Sequence, residues 1–256
     1  MRTRTVAVAT AVAVLGWAAA ASAQEQVNTY TVTGSTSPAK AGSKQRPIPI
    51  SLNFDYTVGE QSGLRPSPVK RYTIGFYGVR SNGGLFPKCT AAQLNAAQSD
   101  SGCPRGSLVG AGTVINETGA SSDPADKSIA CNLNLRVYNA GQGRAALWLQ
   151  GGPTQVVRGK PCVIQINQAI DARYVSHPGG TALQFEVPAN LLHPVGGLDN
   201  AVVRVESTIR RLTVRRGGRL RGYYESIGCR SRQRPISVDF LSEAGQSETA
   251  TAQARC

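Results

Sequence analysis

The sequence predicts an all-β protein: an antiparallel β-sandwich of about a dozen short strands, with one short helical excursion near residues 90–98, stapled by disulfides. Three observations predict it. Apolar and polar residues alternate in run after run, the period of a half-buried strand. Gly, Pro, Asn and Asp punctuate nearly every gap between the runs, as turns require. Six cysteines, Cys89, Cys103, Cys131, Cys162, Cys229 and Cys256, form an even set in a chain that opens on an export signal.

Residues 1–23 read as a secretory signal peptide. Arg2 and Arg4 give a positive start, Val6 to Ala20 is apolar, and Ala21-Ser22-Ala23 is a small-x-small cleavage site. The apolar stretch, about fifteen residues, is too short to span a bilayer comfortably, and no later run is apolar enough. The expected location is secreted or extracellular, with no transmembrane segment after cleavage. Residues 24–256 are expected to form a single β-sandwich domain.

After a first strand near VNTYTV, residues 33–46 (TGSTSPAKAGSKQR) lack periodicity and predict an exposed loop. In residues 48–58, Ile48, Ile50, Leu52, Phe54, Tyr56 and Val58 share one face, and Pro49 marks an edge or a strand start. Further strands are expected over 72–79, 107–115, 131–138, 146–150, 162–166, 182–187, 202–209, 211–215, 223–227, 236–241 and 248–254. This register places Leu52, Phe54, Leu133, Leu135, Phe185 and Phe240 in the core, with Asn53, Asn134 and Asp239 on the wetter face. A turn-rich stretch at 188–200 admits a weak subdivision of the domain.

Between Cys89 and Cys103 lies TAAQLNAAQ, where Thr90 and Gln93 form a capping box and the alanines favour helix. Zinc would want four ligands in close pairs, and a redox site a tight CxxC, so this pair reads as a staple around the excursion. The expected connectivity is Cys89–Cys103, Cys131–Cys162 and Cys229–Cys256, the last bracketing the closing hairpin.

The pattern FP-x-C, then a short helix, then CP-x-GS-x-VG-x-G at Cys103–Gly112, resembles a family of uncharacterised secreted proteins of high-GC Gram-positive bacteria. The tail GYYESIGC, PISVDF and GQSETATAQARC is similar to the closing unit of that family. The resemblance implies fold and export, and it carries no catalytic residue.

Chemistry is sparse. His177 and His193 both sit in turn contexts, and neither GxSxG nor HExxH occurs. Asp171, Glu186, Glu206 and Glu225 lie on or beside expected strands, but nothing in the sequence brings two together as a glycosidase requires. A polysaccharide lyase would want an arginine beside a tyrosine base, and Arg219, Arg221, Tyr223 and Tyr224 are close in sequence. Asp123 and Asp126 are too few for a calcium loop. The sequence carries no cofactor motif and no metal-ligand set.

Charge is the strongest feature. Residues 204–234 hold ten arginines and two acids, a net +8, while residues 24–256 carry +11, from 26 basic and 15 acidic residues. Arg215-Arg216-Gly217-Gly218 marks a hairpin turn. The expected function is a secreted or envelope-associated binding or structural protein, gripping an anionic polymer or acidic polysaccharide with Arg211, Arg215, Arg216, Arg219, Arg221 and Tyr223. The alternative is a carbohydrate-active enzyme, a lyase or glycosidase of β-sandwich fold. Nucleic acid is poorly motivated for an exported chain, and oligomeric state is left open.

Overall fold

Alternation becomes structure along nearly the whole chain in the computed structural model, which describes residues 26–256. The expected signal peptide, residues 1–23, lies outside the described residues. The first half contains β1 (Asn28–Ser37), β2 (Ile48–Glu60), β3 (Val69–Phe76), β4 (Val79–Ser81), the helix α1 (Ala91–Ala97), β5 (Leu108–Ala120), β6 (Ile129–Ala130), β7 (Leu133–Gly141) and β8 (Arg144–Gly151). There follow β9 (Val156–Val157), β10 (Lys160–Pro161), β11 (Ile166–His177), β12 (Gly180–Glu186), the short helix α2 (Ala189–Leu192) and β13 (Leu198–Ile209). The chain closes with β14 (Thr213–Arg216), β15 (Arg219–Gly222), β16 (Tyr224–Ser226), β17 (Gln233–Ser242) and β18 (Ser247–Arg255).

The strands join in one large antiparallel ladder. One 14-stranded antiparallel sheet runs β18-β17-β3-β12-β11-β8-β7-β5-β13-β2-β16-β4, with β1 also on β2 and β6 on β5. It curls. Phe54 and Tyr56 of β2 meet Phe76 and Tyr72 of β3 at ring distances of 5.8 and 5.5 Å, although the two strands are seven places apart in the ladder. The first strand reaches the last hairpin: Tyr30 stacks on Phe240 at 4.3 Å. The Gln246 side chain accepts from the Asn28 amide and donates to its carbonyl, at 2.8 and 2.9 Å. Register shifts at Val202/Arg204, Leu108/Gly110, Asn139/Gly141 and Leu241/Ser242 supply the bends, since a bulge kinks its strand and increases its twist.

The concave side is the core. Leu52, Phe54, Leu133, Leu135 and Phe240 are buried as expected, and Asn53 and Asp239 are exposed on the other face. Phe185, near the end of β12, is only half-buried. The expected loop at 33–46 is corrected as well: β1 runs on to Ser37, paired residue by residue with β2. Its inward positions there are Gly34 and Thr36, whose small or polar side chains hide the alternation. Only 38–46 is loop.

Helix α1 has the expected capping box between Thr90 and Gln93, and its role emerges here. Leu94 packs with Trp148, Ala146 and Tyr138, and the Asn95 amide pairs with both backbone groups of Ala169. The helix covers the outer face of β8 and β11. Disulfides Cys89–Cys103, Cys131–Cys162 and Cys229–Cys256 all form. The first closes a loop of about fifteen residues, which in the chain-entropy model contributes about 3 kcal/mol.

Candidate functional site

The register sorts charge along the strands. One end of the curled sheet gathers the start of β2, the end of β13 and the start of β17; the other gathers the end of β2, the start of β13 and the end of β17. Three segments far apart in sequence build the first end.

The hairpin β14–β15 pairs Arg216 with Arg219 across Gly217 and Gly218, both at positive φ (53° and 72°), as a two-residue primed turn demands. Its base is pinned by Arg211 donating to the Pro49 carbonyl at 3.0 Å and by Asn82 donating to the Gly222 carbonyl at 2.8 Å. Leu212 and Val214 are half-buried beneath it, while Arg211, Arg215, Arg216 and Arg219 are exposed.

The loop 38–46 docks beside it. Gly42 bridges to Ile227, and the Ser226 hydroxyl donates to the Ala41 carbonyl. A Cβ at Gly42 would lie 2.3 Å from the Ser226 carbonyl oxygen, so only glycine allows the approach. This docking carries exposed Lys40, Lys44 and Arg46 to the same end. The third segment is the turn between β16 and β17, held by Cys229–Cys256, which presents exposed Arg230 and Arg232.

Within residues 38–54 and 207–238 the one acid is Glu225, fully buried and held between Arg80 (2.7 Å) and Arg221 (2.9 Å). Burial alone would raise its pKa; the hydrogen bonds from Arg221 and Arg80 outweigh that and hold the carboxyl at about 2. Among the described residues, none of the exposed lysines and arginines of these three segments forms an ion pair. Arg234 lies buried below them, bonded to Tyr77 and Ser226 without a carboxylate, and burial pulls its guanidinium down to about 10.

Two expected site residues are corrected. Arg221 is half-buried and spent on Glu225. Tyr223 is fully buried, so it cannot touch a polymer. Its hydroxyl lies 3.0 Å from that of Tyr174, which in turn lies 2.6 Å from Tyr224. Burial raises Tyr223 to about 12 and pushes Tyr174 and Tyr224 up as well. A lyase base needs the opposite shift, so this cluster is a core tie. Lys40, Lys44 and Arg46 escape a reading of the hairpin alone, because only the long-range pairing of Gly42 reveals them.

The other candidates disperse. Asp171 pairs with Arg144, and Glu206 with Arg158 and Arg204. Asp123 and Asp126 cap turn amides, and hydrogen bonds from Ser128 and the Ala120 amide hold Asp126 at about 2. His177 bonds Ser237 on β17, whereas His193 sits at the opposite end between Asp199 and Glu243. Among the described residues no three His, Cys, Asp or Glu side chains are grouped to hold a metal, and no helix is long and apolar enough to cross a membrane. No family model, curated protein or solved structure matches this chain.

Proposed function

We propose that this is an exported binding protein whose basic end grips an anionic polymer, with repeated phosphate or carboxylate groups, as in teichoic acid or an acidic glycan. The carrying observation is convergence: the loop 38–46, the hairpin 211–221 and the turn 229–233 bring their unpaired cations to one end, with the single local acid buried. Such clustering costs self-repulsion, which a polyanion relieves while raising its own local concentration. Arg211, Arg215, Arg216 and Arg219, joined by Lys40, Lys44, Arg46, Arg230 and Arg232, are the contact set in this reading. We also read the curled sheet as two layers packed face to face in the manner of a sandwich, a reading supported by the ring contacts between β2 and β3.

The test compares elution from immobilised lipoteichoic acid and from polygalacturonate along a salt gradient. The variant Arg215→Ser/Arg216→Ser/Arg219→Ser should elute at clearly lower salt than wild type, because screening shortens to about 8 Å at physiological ionic strength. A control losing three cations outside the basic end, Lys70→Ser/Arg71→Ser/Lys160→Ser, should elute near wild type. Equal elution of the two variants would remove any special role for the basic end.

A further inference from the structure

Where the end of α1, the start of β11 and α2 meet, the surface holds a hollow of about 420 Å3, within the range of small-molecule sites, about 300–1,000 Å3. Amides dominate its lining. Six of its nine residues carry one in the side chain: Asn95, Gln98, Gln165, Asn167, Gln168 and Asn190. The other three are Ile164, Ile166 and Pro194, and no Asp, Glu, Lys, Arg or His lines it. Val163 and Val195, chain neighbours of Ile164 and Pro194, are 57 % and 47 % exposed, which leaves aliphatic surface beside the amides.

Every one of these amides is tethered. Asn95 is wholly used, donating to the Ala169 carbonyl at 3.0 Å and accepting from its N–H at 2.7 Å, which ties α1 to β11. Gln98 ends α1 in the left-handed region (φ 49°) and donates to the Asn95 carbonyl at 2.8 Å. Gln165 donates to the Gly151 carbonyl at 3.0 Å and to Asn167 Oδ1 at 3.3 Å. Gln168 and Asn190 exchange both bonds, at 3.2 and 2.8 Å, and so fasten α2 to β11. Two oxygens, Gln98 Oε1 and Gln165 Oε1, and the Asn167 amide nitrogen are left without a partner among the described residues. Gln98 and Gln165 are exposed and Asn167 is half-buried, so these groups are open to a ligand. Their orientation is fixed, because turning Gln98 or Gln165 over would set its oxygen against a backbone carbonyl. Groups already held in place lose little freedom on binding.

We propose that this hollow binds one unit of a neutral glycan, with ring hydroxyls on the tethered amides and the ring's C–H face toward Ile164, Pro194 and their exposed neighbours. The mixture of free acceptors and a free donor sets the polar groups of the ligand, since a hydroxyl both donates and accepts. The uncharged lining sets its charge, since an ion placed there would meet no counter-ion. A wholly apolar ligand would strip water from the amides and return no hydrogen bond. An extended peptide is recognised mainly through a row of strand-edge backbone groups, whereas the free partners here are side chains. None of the three basic segments lines the hollow, so a neutral sugar and a polyanion would occupy separate sites.

NMR titration of the intact chain tests it, followed on the side-chain amide signals, with cellobiose, maltose and N,N′-diacetylchitobiose as probes and tetraglycine as the peptide comparison. At least one disaccharide should shift Gln98, Gln165 and Asn167 saturably, with a Kd of about 1 mM, the range that a few neutral hydrogen bonds support. That Kd should hold from low salt to about 0.5 M NaCl, unlike binding at the basic end. Gln98→Gly/Asn167→Ala removes one free acceptor and one free donor, and glycine suits the left-handed position, so binding read on Gln165 should weaken about tenfold. If that variant fails to fold, Asn167→Ala alone should weaken it about fivefold. Gln253→Ala, which removes an exposed amide on β18, should bind as wild type. Absence of saturable shifts with every disaccharide at about 20 mM overturns the site, as does undiminished binding by a folded amide variant. Binding that salt abolishes overturns its neutral character, and tetraglycine binding more tightly than every disaccharide overturns the sugar.

Discussion

Each end of the sheet holds one ion between two of opposite sign, and the two arrangements differ in burial. At the basic end Glu225 sits between Arg80 and Arg221, with no part of it exposed. At the other end His193 bridges Asp199 and Glu243 at 3.0 Å each, with 43 % of the ring side chain open to water. Around His193 several charges are used locally: Lys127 on Glu117, Asp126 on turn amides, and buried Arg65 on the carbonyls of Ala120 and Asp126. Around Glu225 the outer cations stay free. One end spends much of its charge on holding loops; the other spends a single carboxylate on its foundation and leaves nine cations facing solvent: Lys40, Lys44, Arg46, Arg211, Arg215, Arg216, Arg219, Arg230 and Arg232.

Removing the buried member should therefore have the largest effect. Glu225→Ala leaves Arg80 and Arg221 facing each other and strips the Gly222 amide of its acceptor at 3.1 Å. Breaking a buried pair from one side costs about 3–5 kcal/mol, read as a drop in the urea midpoint. The exposed acid Asp239 gives the control: Asp239→Asn should shift stability by less than about 0.5 kcal/mol. The pH sign follows from the depressed carboxyl. Its contribution is complete above the unfolded value and is lost as pH falls through about 2. A loss below about 1 kcal/mol for Glu225→Ala would make the two ends equivalent.

What the sequence disclosed and what it withheld divide along the same line, local against long-range. The turn at Gly217-Gly218, the capping box at Thr90 and the three cysteine pairs depend on near neighbours or on strand starts, and they are legible. So is the inward set Leu52, Phe54 and Leu133. The extension of β1 through Gly34 and Thr36 was not, because its alternation is one of position without hydrophobicity. ALWLQ is apolar on both faces: Ala146 and Trp148 are as buried as Leu147 and Leu149, and such a strand needs cover on both. Helix α1 is that cover. The curl needs bulges such as the one between Val202 and Arg204, and the convergence of charge needs Gly42 to meet Ile227. Neither leaves a mark within any short window.

A glycine at each end sharpens the comparison at smaller cost. Gly42 (φ +60°) and Gly63 (φ +77°) both occupy the left-handed region, but a Cβ at Gly42 meets the Ser226 carbonyl at 2.3 Å, whereas Gly63 has nothing within 4 Å. Gly63→Ala should lose only the conformational term, about 1–2 kcal/mol. Gly42→Ala should lose a further 1–3 kcal/mol or so through strain, or else shed the loop. Shedding has its own signature: Lys40, Lys44 and Arg46 leave the hairpin, and elution from lipoteichoic acid moves to lower salt with little change in the melting temperature. Equal losses for the two glycines, with unchanged elution, would mean that the loop is not docked in solution.

The smallest expected effect is at His193. The hydrogen bond to Glu243 raises its pKa most, partial burial opposes the rise, and Asp199 adds to it. Asp199 is shared, since Arg65 approaches its other oxygen at 3.8 Å. A raised imidazole pKa means that the folded state favours the proton, so the stabilisation is complete below the unfolded value of about 6.5 and is lost as pH rises through the higher folded value. Exposure of the ring limits the size: solvent screening holds such a pair below about 1 kcal/mol. The melting temperature of the wild type should thus fall between pH 6 and pH 8 by slightly more than that of His193→Gln, whose side chain keeps a donor but does not titrate. Raising salt should shrink the difference, because the ring is exposed, while leaving the Glu225→Ala penalty nearly unchanged. If His193→Gln follows the wild-type profile throughout, the bridge to Asp199 and Glu243 carries no charge in solution, and the contrast between the two ends rests on Glu225 alone.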